Sequence, residues 1–178
     1  MVSHYDFAPR FTEAYHCAEE AYRRDPASTL SAIATQSGAW LAANGLTNQA
    51  LYDYVDDDAR YGEPGIHRAL MIESVRRDYF LNVQEARTSA TFLDVDAMPP
   101  KDAEVDGIAW LPRLIVKARA KLRGELPPSL MYGCGGDRAF LQDHDLDPAE
   151  FLSAVWRHDA QPTAIAAWIH SRTKRRGS

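Results

Sequence analysis

The chain has 178 residues, 46% hydrophobic and 25% charged, with a formal net charge of −5. This ordinary globular balance suits one compact domain or two small helical subdomains, and the negative charge excludes holding nucleic acid by phosphate neutralisation. Two cysteines far apart, Cys17 and Cys134, exclude a disulfide framework or a paired-cysteine zinc site, and no apolar run approaches the ~20 residues of a membrane span.

Phe11, Ala14, Tyr15, Ala18 and Tyr22 recur at the spacing of one helix face. Asp25-Pro26 reads as an N-cap followed by proline at the first helical position. The second helix then carries Leu30, Ile33, Ala34, Ser37, Trp40 and Leu41 in one stripe and closes at Asn44-Gly45. Thr47 is placed to cap a third helix holding Leu51, Tyr54 and Val55, which runs into Asp56-Asp57-Asp58 and a breaker at 61–65. A fourth helix is predicted from Pro64 to about Glu85. Its apolar residues, including Ile66, Leu70, Ile72, Val75 and Val83, cover a broad face and predict the most buried element.

From 88 to 106 the helical pattern lapses into a linker, with a short extended segment expected near 90–95. Trp110, Leu111, Leu114, Ile115, Ala118 and Leu122 then line one side of a helix, with Pro112 in its first turn and Gly124 at its end. Asp137 is expected to cap a short helix, Asp147-Pro148 to open another, and Thr163 to begin the last. The basic run at 172–178 reads as a solvated terminus. The expected fold is all-α, a bundle of about seven or eight helices. An N-terminal part, 1–87, and a C-terminal module, 107–178, are expected to pack as a single domain.

Leu111-Pro112-Arg113, Lys117-Ala118-Arg119-Ala120, Tyr132-Gly133-Cys134 and Asp137 form a pattern that resembles a bacterial family catalogued as domain of unknown function 5069. The resemblance covers about 107–168 and none of the first hundred residues. It implies a small helical fold and carries no established activity. Val116 stands where the family pattern has an acidic residue.

The same stretch holds the candidate chemistry. Arg113 and Lys117 share a helix ridge and, with backbone N–H groups of Gly135 and Gly136, are expected to bind an anionic substrate. The plainer reading pairs Arg113 with Asp137 or Asp106 and leaves Lys117 and Lys121 solvated. Cys134 precedes a helix start among cationic side chains, a setting that favours a thiolate nucleophile, with Tyr132 and Asp137 for proton transfer or orientation. Against this, cysteine is often only a small buried hydrophobe. A weaker metal reading draws on Glu13, His16, His67 and Glu73, because Glu13 and His16 form one Glu-x-x-His motif of the pair that di-iron bundles use.

Three functions are therefore expected in order. The first is a small-molecule enzyme or ligand-binding protein taking an anionic metabolite between the N-terminal helices and the 107–168 module, with lyase, isomerase or hydrolase chemistry and no redox cofactor. The second is a non-catalytic helical interaction protein or homodimer. The third is a metal-dependent oxygenase or hydrolase. The expected setting is cytoplasmic, with no nucleic-acid or membrane partner.

Overall fold

The computed structural model describes residues 3–176, with side chains as far as Arg172; the expectation for the basic tail lies outside the side chains described. The protein is all-α, with nine α-helices and one two-stranded ribbon among the described residues. The chain divides into two compact units, residues 1–88 and 89–178. No helix among the described residues is long and apolar enough to cross a membrane.

The first unit holds α1 (Phe7–Arg24), a 3₁₀ turn (Pro26–Ser28), α2 (Thr29–Gln36), α3 (Gly38–Ala43), α4 (Asn48–Tyr61) and α5 (Gly65–Asn82). Helix α1 buries Phe7, Phe11, Ala14, Tyr15, Ala18 and Ala21, the expected stripe extended by a turn at its start, with Ala21 buried and Tyr22 half-buried at its end. Asp25 and Thr47 cap as expected, accepting from the Ala27 and Ala50 N–H groups at 3.1 Å each. The predicted second helix is two, because the backbone breaks at Ser37 (φ −127°, ψ −11°). Asp56, Asp57 and Asp58 do not end a helix. They lie inside α4, which runs to Tyr61 and stops at left-handed Gly62. Tyr22 donates to Asp56 Oδ1 at 2.6 Å and so ties α1 to α4.

Helix α5 departs most from expectation. Its buried positions include Glu73, Arg76 and Arg77 beside Ala69, Ile72 and Phe80, while Val83 is exposed. The charges are tolerated because each has a polar partner. Tyr54 donates to Glu73 at 2.8 Å, Arg76 donates to Gln84 at 2.8 Å, and Arg77 donates to Asn44 at 2.7 Å.

The second unit holds the ribbon β1 (Glu104–Val105) and β2 (Ile108–Ala109), followed by α6 (Leu111–Arg123), α7 (Gly135–Asp143), α8 (Pro148–Arg157) and α9 (Pro162–Arg176). The extended pairing falls at 104–109 rather than near 90–95, because Asp106 and Gly107 both adopt positive φ (49° and 75°) and turn the chain in two residues. Leu111, Leu114, Ile115, Ala118 and Leu122 of α6 meet a core with Phe151, Leu152 and Val155 of α8 and Ile165 and Ile169 of α9. Pro112 sits in the first turn of α6 and Gly124 ends it at φ 69°.

Gly45 joins α3 to α4 at φ 74°, and a Cβ placed there would lie 2.3 Å from Phe80 Cγ. Both the backbone conformation and the ring of α5 therefore demand glycine. Gly45→Ala is expected to lower unfolding free energy in a urea titration by about 2–4 kcal/mol. A loss of less than ~0.5 kcal/mol would mean that Phe80 and the turn relax freely.

Candidate functional site: a lysine, a thiol and a buried carboxylate

The site lies within the second unit, between α6 and the start of α7. After Gly124 the chain returns through residues 125–134, anchored by Tyr132. That ring is buried, and its hydroxyl donates to the Pro148 carbonyl at the start of α8, at 2.7 Å. Gly133 takes φ 87°, a left-handed conformation that turns the chain into α7. Cys134 is extended at the N-cap of α7, and its carbonyl accepts the Arg138 N–H at 2.9 Å. Arg138 also donates from Nη1 to the Gly133 carbonyl at 2.9 Å, clamping the loop from the helix side.

Asp137 is in the first turn of α7 and is not its cap, contrary to expectation. Its carboxylate is buried and has three donors. Oδ1 accepts from Trp110 Nε1 at 3.1 Å. Oδ2 accepts from the Gly133 N–H at 3.0 Å and pairs with Lys117 Nζ. The reach back to Gly133 serves the same end as a capping-box carboxylate, satisfying an N–H ahead of the helix. Lys117 Nζ also lies 3.1 Å from Cys134 Sγ.

Lys117 is therefore not solvated. Its side chain is 2% exposed and that of Asp137 0%. Burying two charges is tolerable only with close pairing and satisfied lone pairs, and the indole and backbone donors complete that requirement. Cys134 is half-buried, while Gly135 and Gly136 are exposed. The Cys134 side chain makes no capping bond, so the first-turn N–H groups of α7 have no side-chain cap. Gly136 has a packing reason of its own, since a Cβ there would meet the Trp110 ring at 2.6 Å.

The structure thus brings Lys117, Cys134 and Asp137 together, with Gly135 and Gly136 beside them. Arg113 goes elsewhere, pairing with neither Asp137 nor Asp106 but donating to the Pro99 carbonyl at 2.8 Å, which ties 89–106 to α6. Tyr132 is committed to Pro148. Burial, then Asp137 and Asp147, raise its phenol well above the ordinary tyrosine range. His144 caps the opposite end of α7, where it helps line an open cleft of about 390 Å³ with Ile108, Asp143, Ile169 and His170.

The metal reading fares differently. Glu13 and His67 are exposed, His16 pairs with Glu19 at 2.8 Å, and Glu73 is buried against Tyr54. Among the described residues no three His, Cys, Asp or Glu side chains are grouped to hold a metal ion. Spacing along one helix placed Glu13 near His16 but could not bring His67 or Glu73 to them.

Trp110 is the site residue that sequence reasoning missed as a polar partner. It adopts φ 67°, rare for a bulky residue, and that conformation sets its indole over Gly136 and against Asp137. Its place before the Leu-Pro-Arg helix start was visible; its backbone conformation was not.

Lys117→Met is expected to cost about 3–5 kcal/mol in denaturant titrations, since it strands a buried carboxylate. Adding Asp137→Asn should restore a substantial part, and a Lys117→Met loss below ~1 kcal/mol would show the pair to be weakly coupled. The raised Tyr132 phenol supplies a second measurement. The folded state keeps this proton where the unfolded chain loses it, so the stabilisation is complete below about pH 10 and declines as pH rises beyond it. Tyr132→Phe should therefore flatten the fall of Tm with pH above 10, and an unchanged slope would assign that fall to other groups.

Compared with known proteins, no curated protein and no solved structure matches the chain. The family model described as a domain of unknown function (DUF5069) matches residues 99–178, the part that carries Lys117, Cys134 and Asp137, and so bears out the resemblance read from this part of the sequence.

Proposed function

We propose that the second unit is a thiol-centred module that captures or transforms a small molecule. Cys134 is the nucleophile, Lys117 the donor that contacts its sulfur, and Asp137 the group that fixes Lys117. The observation that carries this reading is the 3.1 Å contact between Lys117 Nζ and Cys134 Sγ in a half-buried position. An ammonium beside a thiol stabilises its anion, and a buried carboxylate keeps that ammonium from swinging to solvent. The exposed Gly135 and Gly136, in the first turn of α7, offer N–H groups to an oxyanion formed on the attacked substrate. An electrophilic carbon in an anionic metabolite suits this arrangement. Nucleophilic attack and proton transfer, as in a lyase, isomerase or hydrolase, call for no redox cofactor.

The anion-holding role expected of Arg113 and Lys117 is not retained. Arg113 is bound to Pro99, and Lys117 Nζ is committed to Asp137 and Cys134.

Alkylation of the folded chain by iodoacetamide at neutral pH, followed residue by residue by mass spectrometry, tests the reading. Cys134 should react faster than the other half-buried thiol, Cys17, and Lys117→Met should slow Cys134 several-fold while leaving Cys17 unchanged. Reaction of Cys134 only after denaturation would remove the nucleophile and leave the cluster a purely structural tie.

A further inference from the structure

Arg77, in the first unit, is a buried cation with no carboxylate among its hydrogen-bond partners; the Asp78 carboxylate favours its charge without bonding to it. Arg77 is 3% exposed, yet its hydrogen-bond partners among the described residues are all neutral. Nε donates to Asn44 Oδ1 at 2.7 Å, Nη1 to His4 Nδ1 at 3.2 Å, and Nη2 to the Ser3 carbonyl at 3.4 Å. The guanidinium also lies 4.7 Å from the centre of the Phe7 ring. These contacts satisfy its N–H groups without neutralising it, and a buried charge is costly until it is paired. Burial disfavours the charged form, and the neighbouring Asp78 carboxylate offsets part of that effect.

The two ends of this guanidinium are held differently. The Nε end is rigid, because the Asn44 amide is itself fixed by donating to the Trp40 carbonyl at 2.8 Å. The Nη1/Nη2 end carries the two long bonds, and both come from a short strap ahead of α1. Ser3, His4, Tyr5 and Asp6 are all exposed, with Tyr5 at 95%. The strap's own ties are weak as well: Asp6 N–H to Ser3 Oγ at 3.3 Å and Phe7 N–H to the His4 carbonyl at 3.4 Å.

We propose that Arg77 anchors an oxyanion-binding site for small carboxylates or phosphate monoesters, covered by the Ser3–His4 strap. The planar fork of Nη1 and Nη2 matches two oxygens of such a group. The incoming anion replaces the His4 imidazole and the Ser3 carbonyl, while Asn44 keeps Nε in place. It supplies the charge that the strap's neutral acceptors lack, so exchange of strap for anion is favourable at the guanidinium. Phe7, stacked on Trp40 with ring centres 5.7 Å apart, gives the site an aromatic wall. This site is independent of the Cys134 chemistry.

The test uses calorimetric titration and thermal melts of the full chain with inorganic phosphate and with succinate, against sodium chloride at equal ionic strength. Saturable binding with a raised Tm is expected for at least one probe. Phosphate alone assigns a phosphate ester, and succinate alone a carboxylate. Deleting residues 2–5 should tighten binding roughly fivefold by removing the competing strap. Arg77→Met should abolish it. Should that variant fail to fold, Asn44→Asp serves instead, since it supplies an internal carboxylate and should raise Tm without anion while abolishing the response. The proposal is overturned if neither probe binds, if the shortened chain binds no tighter, or if Asn44→Asp binds as the native chain does.

Discussion

The contact between Lys117 and Asp137 sets the geometry of everything around it in the second unit. A carboxylate with no exposure needs donors on every side, and it recruits them from three places: the ammonium of α6, the indole of Trp110 ahead of α6, and the Gly133 N–H ahead of α7. The start of α7, the entry to α6 and the loop at 130–134 are thereby held by one side chain. Cys134 receives its position from this arrangement and contributes little to it. If the carboxylate were lost, Lys117 would remain a buried cation with the Cys134 sulfur as its remaining acceptor among the described residues.

Close backbone approach is the second requirement of the same cluster. Gly136 lets the Trp110 ring pack close against the first turn of α7, and the left-handed φ of Trp110 places that ring. A bulky residue holds such a conformation only when its surroundings pay it back, here through a buried indole hydrogen bond. The glycine pair that looks in sequence like a substrate-approach loop is therefore half a packing device. A Cβ on Gly135 would meet only Arg138 Nη2, at an ordinary 3.9 Å, while one on Gly136 would clash with the Trp110 ring.

Much of the fold was legible because apolar spacing and end signals agree. Phe11, Ala14, Tyr15 and Ala18 in α1, and Leu111, Leu114, Ile115 and Ala118 in α6, are buried as their periodicity requires. Thr47, Asp147 and Gly124 mark helix ends as their chemistry requires. The break at Ser37 was marked by the Ser37-Gly38 pair, but the apolar stripe running across it made the stretch read as one helix. The turn at Asp106-Gly107 did carry its signal, an Asp-Gly pair between short extended residues, but the prolines at 99 and 100 made the whole stretch read as a linker. At the site, grouping Lys117, Cys134 and Asp137 followed from their types and positions. Their burial did not, because a helical lysine is solvated by default and only tertiary partners reverse that.

The charged residues of α5 show the same limit from the other side. Periodicity treats Glu73, Arg76 and Arg77 as interruptions of an apolar face, yet all three lie on the buried face. Comparison of two of the buried cations, Lys117 and Arg77, then separates structure from binding. Lys117 has a carboxylate with its oxygens satisfied, so the pair is closed and leaves only the sulfur as an additional neighbour. Arg77 has no carboxylate among its hydrogen-bond partners, and the part of its guanidinium that best recognises an oxyanion is held by the longest contacts in its shell. A fully paired charge stabilises the fold locally and asks for nothing more. A buried charge satisfied only by neutral acceptors retains an unmet electrostatic demand, and an arriving anion is the simplest group that meets it.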